Sequence, residues 1–415
     1  MRRIGLALCA VVILALGGSV AHTADLPREQ KETRPRARDI GIDIGIFKPG
    51  KYNAITDVKG VKVGHVTLWE GDGKLVPGQG PVRTGVTAIL PHDGNLFKEK
   101  VPAAAFVLNA FGKSTGLQQV NELGNLEVPI MLTNTLNVPL VADAVIEWSI
   151  GHNPEIGIRT GTVNPVVGEV NDGFLNDIQG RHVKKEHVFQ AIADARSGPV
   201  EEGAVGAGTG SSCMGFKGGI GTSSRVLPPK RGGYTIGVLV QTNFGGSLTV
   251  NGAPVGREMG KFDFSGDFPY EIPEGQNPDG SVMVVVATDA PLDQRQLERV
   301  AKRVGLGLAR TGFYSSNGSG DFFIAFSTAQ RYPHSTGLTL DTTVVANDSM
   351  SAIFAATVEA TEEAVINSVL KATTVVGRDG NTREAIDIQK LLPILHKYNV
   401  LDWEKRLPPW GKTGP

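Results

Sequence analysis

The segment that most restricts the fold is Ser281-Val-Met-Val-Val-Val-Ala-Thr288. It is too short for a stable helix and too uniformly apolar for a strand with a wet face. Such a strand needs apolar neighbours on both sides, which implies a layered architecture. Residues 245–280 before it are rich in Gly, Pro and Asp, show no periodicity and end Pro273-Glu-Gly-Gln-Asn-Pro-Asp-Gly280. A surface loop of that length is unusual and often functional. After the strand, Leu297, Val300, Ala301, Val304 and Leu308 fall at helical spacing, which predicts an amphipathic helix over 293–310. Further helical patterns cover 117–123, 140–150, 187–196, 349–371 and 384–397. Strand patterns cover 58–66, 86–90, 103–108, 129–132, 234–241 and 322–326. The class is therefore mixed α/β, without an internal repeat.

Composition narrows the function classes. Lys plus Arg total 41 and Asp plus Glu 42, a balance that argues against a nucleic-acid binder held by bulk charge. Gly accounts for 53 of 415 residues, well above the usual ~7%, so tight turns and close backbone packing are expected. The N-terminus joins basic Arg2-Arg3 to an apolar run, Ile4 to Leu16, and then to small residues around Ala21 and Ala24. That reads as a secretory signal peptide over 1–24, too short in its apolar part for a membrane span. The expected organisation is a signal peptide (1–24), an irregular N-terminal arm (25–50) and a remainder (51–415) long enough for one large domain or two to three smaller ones, in a periplasmic or secreted protein without membrane attachment. Cys9 leaves with the signal peptide, so the mature chain keeps only Cys213 and forms no internal disulfide. Cys213 reads as a small packing residue, with a thiol nucleophile as the rival. His182 and His187 lie five apart with no accompanying carboxylate motif, so neither a metal nor an organic cofactor is expected.

Chemistry has one conspicuous place to sit. At Gly280-Ser281 an exposed loop ends in Gly, and a hydroxyl residue opens a buried strand. Ser281 can attack the unobstructed Gly280 carbonyl, and an N-to-O acyl shift followed by hydrolysis would cut the chain. The new α-amine, with a pKa near ~7.7–8, can then act as base beside its own hydroxyl. The plain alternative is an ordinary loop-to-strand junction; Gly246-Ser247 is a rival cut site without a buried strand behind it. Ser319 and Asp321, at i and i+2 before the strand Phe322–Phe326, could relay a proton or simply stabilise a turn. Asn243, closing the strand 234–241, could donate to an oxyanion or serve as a turn residue. The Gly-rich stretch 203–225 matches neither a phosphate loop nor a dinucleotide fingerprint. Gly208 and Gly210 within it are candidates for backbone that lines a pocket or the oxyanion region.

Taken together, the motifs resemble the DmpA-type L-aminopeptidase/D-amidase-esterase and β-peptidyl aminopeptidase family. The resemblance runs from about residue 40 to 395. It is carried by Ile55–His65, Arg83–Leu90, Pro129–Asn134, Gly168–Asp177, Gly206–Gly210, Phe216–Arg225, Val240–Gly245, Gly280-Ser281 with Ala287–Pro291, and Ser319-Gly-Asp321. It implies a single αββα sandwich of the DmpA/ornithine acetyltransferase type over 51–415, rather than separate domains. It further implies autoproteolysis into 25–280 and 281–415, Ser281 as N-terminal nucleophile, Ser319 and Asp321 assisting proton transfer, and Asn243 at the oxyanion. Short peptides, amides or esters are the implied substrates, and a homo-oligomer of αβ units the implied assembly. One departure matters: where many members carry Tyr in the Asn-Asp-Gly-x-Leu-Asn-Asp motif, this chain has Phe174, so an oxyanion donor could be missing. An amine acyltransferase on the same scaffold and a non-catalytic periplasmic binding protein remain the alternatives.

Overall fold

The computed structural model describes residues 33–267, 280–335 and 337–411. The signal-peptide reading of 1–24, residues 25–32 of the arm, and 268–279 of the long loop lie outside the described residues. Residues 34–411 belong to one compact unit.

Two sheets form its middle. The smaller contains β1 (Lys62–Glu70), β2 (Val82–Leu90), β4 (Ile130–Asn134) and β5 (Val166–Val170), in the order β1-β2-β4-β5, with β4 and β5 parallel. The larger is built on β3 (Glu99–Ala110), β9 (Gly320–Ser327), β8 (Ser281–Thr288), β7 (Thr235–Asn243) and β6 (Ile220–Val226), in that spatial order. Strands β8 and β9 are parallel and every other neighbouring pair along that path is antiparallel. The helix predicted over 293–310 is observed as α4 (Gln294–Arg310) and is the crossover between β8 and β9. Asp293 caps it, accepting from the backbone N–H of Gln296 at 2.7 Å.

The strand 281–288 is buried on both faces, as its composition demands. Val282, Val284 and Val286 join a core with Leu297, Val300, Ala301, Val304 and Leu308 of α4 and with the long helix α5 (Ser351–Lys371). Met283, Val285 and Ala287 join a second core with Val86, Ala88, Ile130, Leu132 and Val166 of the smaller sheet. Helices α2 (Val138–His152) and α3 (Lys185–Ala193) cover the far side of that sheet. The layers are thus helices, sheet, sheet, helices, the αββα arrangement implied by the resemblance. The sheets approach closely at Gly168, where a Cβ would sit 2.3 Å from the Met283 methyl group, so a larger residue would have to push the Met283 side chain aside.

Two helices are offset from their patterns: α3 begins and ends earlier, covering 185–193 against an expected 187–196, and α6 (Ile388–Lys397) begins later than the expected 384–397. Strands β5 and β6 were not expected. Residues 34–50 are irregular yet packed into the unit, with Ala37, Ile42 and Ile44 fully buried.

Candidate active site

The sheet topology brings the separated motifs together. Because β8 and β9 run parallel and in register, their starts lie side by side, with Ser281 opposite Gly320 and Val282 opposite Asp321. The antiparallel neighbours finish at the same edge, so Asn243 at the end of β7 faces Ser281, and Asn109 near the end of β3 faces Asp321. Three strand ends thus assemble Ser281, Ser319, Asp321 and Asn243, which are well separated along the chain, and the end of β3 adds Asn109.

Ser281 is buried, and its Oγ donates to the Gly280 carbonyl oxygen at 2.6 Å. The same carbonyl accepts a longer bond, 3.3 Å, from the Gly320 N–H. Gly280 itself cannot be replaced without displacement, because a Cβ there would lie 2.7 Å from the Phe244 Cα. Asp321 accepts from the Ser319 and Ser315 hydroxyls, both at 2.5 Å, one on each carboxylate oxygen. Burial raises its pKa, partly offset by those two donors. Asn109 Nδ2 donates to the carbonyls of Ser316, Asn317 and Ser319, fastening the turn that presents Ser319. Asn243 is held from both ends: Nδ2 donates to Asn171 O at 2.9 Å and Oδ1 accepts from the Ser212 N–H at 2.8 Å.

Ser281 and Asn243 open onto a cavity of about 360 Å³, whose lining also includes Phe174, Glu169, Met214 and Arg383. That volume is within the range of a small-molecule site. Glu169 is 1% exposed. It accepts from the Lys113 N–H at 2.8 Å and from the Thr135 hydroxyl, and burial raises its pKa against the pull of those donors. Phe174 brings no hydroxyl to the cavity; its ring lies 3.8 Å from the Arg383 guanidinium.

Two expectations are relocated. Gly208 and Gly210 are absent from the cavity wall: a Cβ on Gly208 would lie 2.5 Å from Ile220 N, and one on Gly210 2.2 Å from Arg83 O, so both are close-packing positions. Cys213 is fully buried away from the wall, and burial pushes its thiol pKa up to about 12. A thiol so weakly acidic supplies essentially no thiolate at neutral pH, which removes the physical basis of a Cys213 hydrolase. Among the described residues no group of His, Cys, Asp and Glu could hold a metal ion. His182 instead pairs with Asp177 at 2.9 Å, and His187 accepts from the Lys184 N–H.

Residues that sequence reasoning passed over are Glu169, Arg383, Ser315 and Asn109. Glu169 carried a usable signal, since an acid inside Val166-Val-Gly-Glu-Val170 must be paired or functional once that strand is buried.

This arrangement coincides with a known family. The model of peptidase family S58 matches residues 53–383. The chain belongs to peptidase family S58. It is 46% identical to the β-peptidyl aminopeptidase BapA of Sphingosinicella microcystinivorans over 384 residues, covering 88% of this chain and 93% of the relative. The PH0078 protein from Pyrococcus horikoshii OT3 superposes with a TM-score of 0.82 at 52% identity, covering 88% of this chain and 99% of that one. The L-aminopeptidase D-Ala-esterase/amidase of Ochrobactrum anthropi, described as a prototype serine aminopeptidase and a variant of the Ntn hydrolase fold, superposes with a TM-score of 0.80 at 38% identity. That match covers 89% of this chain and 100% of the neighbour. Membership in a peptidase family sets aside the non-catalytic alternative.

Proposed function

We propose that this S58 serine aminopeptidase is made as an exported precursor, cuts itself between Gly280 and Ser281, and then uses Ser281 to release N-terminal residues from short peptides, amides or esters. The observation that carries the reading is Ser281 Oγ at 2.6 Å from the carbonyl oxygen of its own preceding residue, at the mouth of a cavity. In the cut, Oγ adds to the Gly280 carbonyl carbon and the peptide nitrogen departs as an amine, leaving an ester. Water hydrolyses the ester to a Gly280 carboxylate and a free Ser281 hydroxyl. The Gly320 N–H supports the oxyanion of that step.

In turnover the Ser281 α-amine takes the Oγ proton as Oγ attacks the substrate carbonyl, and it passes that proton to the leaving amine. Ser319, whose proton is committed to Asp321, keeps lone pairs that can accept from the Ser281 ammonium. One Asn243 Nδ2 proton is engaged by Asn171; the second supplies the oxyanion donor. Glu169, buried and raised in pKa, receives the substrate's free ammonium, whose charge offsets the cost of ionising the carboxyl there. The similarity to β-peptidyl aminopeptidases supports including β-residues alongside L- and D-residues in the screen. Export rests on the sequence of residues 1–24. No helix among the described residues is long and apolar enough to cross a membrane.

The test compares alanyl and β-alanyl p-nitroanilides with their N-acetylated forms. Free-amine substrates should be cleaved and acetylated ones essentially not. Glu169→Gln should lower kcat/KM for the free amines by about 10–100-fold. Equal turnover of blocked and free substrates would contradict the aminopeptidase assignment of this cavity.

A further inference from the structure

We propose that Arg383 is a specificity-determining residue that receives the carboxylate of the leaving amine, making a short peptide with a free C-terminus, foremost a dipeptide, the favoured substrate. The inference rests on the aminopeptidase reading of Ser281 and concerns the other side of the bond that is cut.

Arg383 shares the cavity wall with Ser281, Asn243 and Glu169. Its Nε donates to Ser212 Oγ at 3.0 Å, and its guanidinium stacks on Phe174 at 3.8 Å. Neither Nη group has a hydrogen-bond partner among the described residues, and no carboxylate among them lies within ion-pair distance. Four other arginines drawn into the fold behave differently. Arg36 holds Glu202, Arg38 holds Glu363, Arg83 holds Asp72 and Arg225 holds Glu359 and Glu363. The acid next in sequence, Glu384, is engaged by Lys261. Arg383 is partly buried, and burial lowers its pKa with no neighbouring acid to offset the effect. A guanidinium in that condition gains from an arriving anion, and its unengaged Nη groups match a carboxylate edge.

Its position is tied to the reacting atoms. Ser212, which accepts from Arg383, donates its backbone N–H to Asn243 Oδ1, and Asn243 faces Ser281 across the sheet. Glu169 is held by Lys113 and Thr135, whereas Arg383 is held by Phe174 and Ser212, so the acid and the guanidinium are anchored around the cavity by separate sets of residues. A zwitterionic dipeptide presents an ammonium for Glu169 and a carboxylate for Arg383.

The experiment measures kcat/KM for L-Ala-L-Ala and β-Ala-L-Ala, for their C-terminal amides, and for the matching p-nitroanilides. Wild type is compared with Arg383→Ala and Arg383→Lys. Wild type should favour the free acids over the amides by about 10-fold or more. In Arg383→Ala that acid-to-amide ratio should fall by about 10–100-fold, chiefly through KM of the acids, and Arg383→Lys should recover part of it. An unchanged ratio in Arg383→Ala overturns the proposal. So does an equal loss on all three substrate types, which would mean that Arg383 only supports Ser212 and Asn243. Wild-type protein that cleaves none of the p-nitroanilides defeats the aminopeptidase reading itself, and the proposal with it.

Discussion

Two parts of this molecule bury charge, and they do it in opposite ways. Beneath α5, Arg225 of β6 is bound to Glu363 at 2.7 Å and to Glu359 at 3.2 Å, while Arg38 reaches Glu363 at 3.0 Å. Asn53 donates to the same Glu363, and the backbone N–H groups of Ile46 and Phe47 donate to Glu359. Burial alone would raise the Glu363 pKa, but Arg225 and Arg38 hold it below the ordinary value. In the cavity, Glu169 and Arg383 are hydrogen-bonded only by neutral groups, with the Lys113 charge a minor influence on Glu169. A charge closed by its opposite fixes the edge strand and the N-terminal segment to a helix. A charge held by neutral groups is oriented but still open to a ligand.

Breaking the closed cluster should have the larger effect on stability. Glu363→Ala leaves two guanidinium groups without their shared acid and should destabilise by about 3–5 kcal/mol, read as a drop in thermal midpoint. Glu169→Gln keeps an acceptor for the Lys113 N–H and removes a costly buried charge, so it should shift stability by less than about 1 kcal/mol while impairing peptide turnover. Comparable midpoint losses in both variants would erase the distinction.

Lys217 is an intermediate case. It is fully buried, and its ammonium has only the carbonyls of Gly208 and Gly218, at 3.0 and 2.8 Å. Burial lowers its pKa to about 7. The unfolded chain therefore keeps this proton up to the usual lysine range while the native chain releases it near 7. Stability from this residue is complete above the unfolded pKa and is lost as pH falls toward 7. Between pH 7 and pH 9 wild type should gain about 2 kcal/mol relative to Lys217→Met, seen as a midpoint difference that widens with pH. Parallel pH profiles would show that Lys217 stays charged in the native state.

The same contrast explains what was legible in the sequence. Strand 281–288, the α4 stripe and the Ser319–Asp321 turn announced themselves through apolar periodicity and abrupt breaks in it. Strand β6 did not, because Ile220-Gly-Thr-Ser-Ser-Arg-Val226 is polar by composition. It is buried only because distant groups satisfy it, as Ser223 does by donating to Ala360 O and Arg225 by holding α5 acids. Ser281, Ser319, Asp321 and Asn243 could be named because each lies at a strand end. Arg383 could not, since it enters the cavity from a two-residue strand paired with Val375–Val376, far along the chain. Gly208 and Gly210 misled because glycine that permits close packing looks, in sequence, like glycine that lines a pocket.

The central claim is that Ser281 becomes a chain terminus before it becomes a catalyst. The most direct measurement is the intact mass of the purified protein beside Ser281→Ala. The account predicts two wild-type fragments, the smaller beginning at Ser281, and an Ala variant that stays whole and does not hydrolyse peptides. A wild-type chain that remains uncut yet hydrolyses peptides, or an Ala variant that still divides at Gly280, would contradict it.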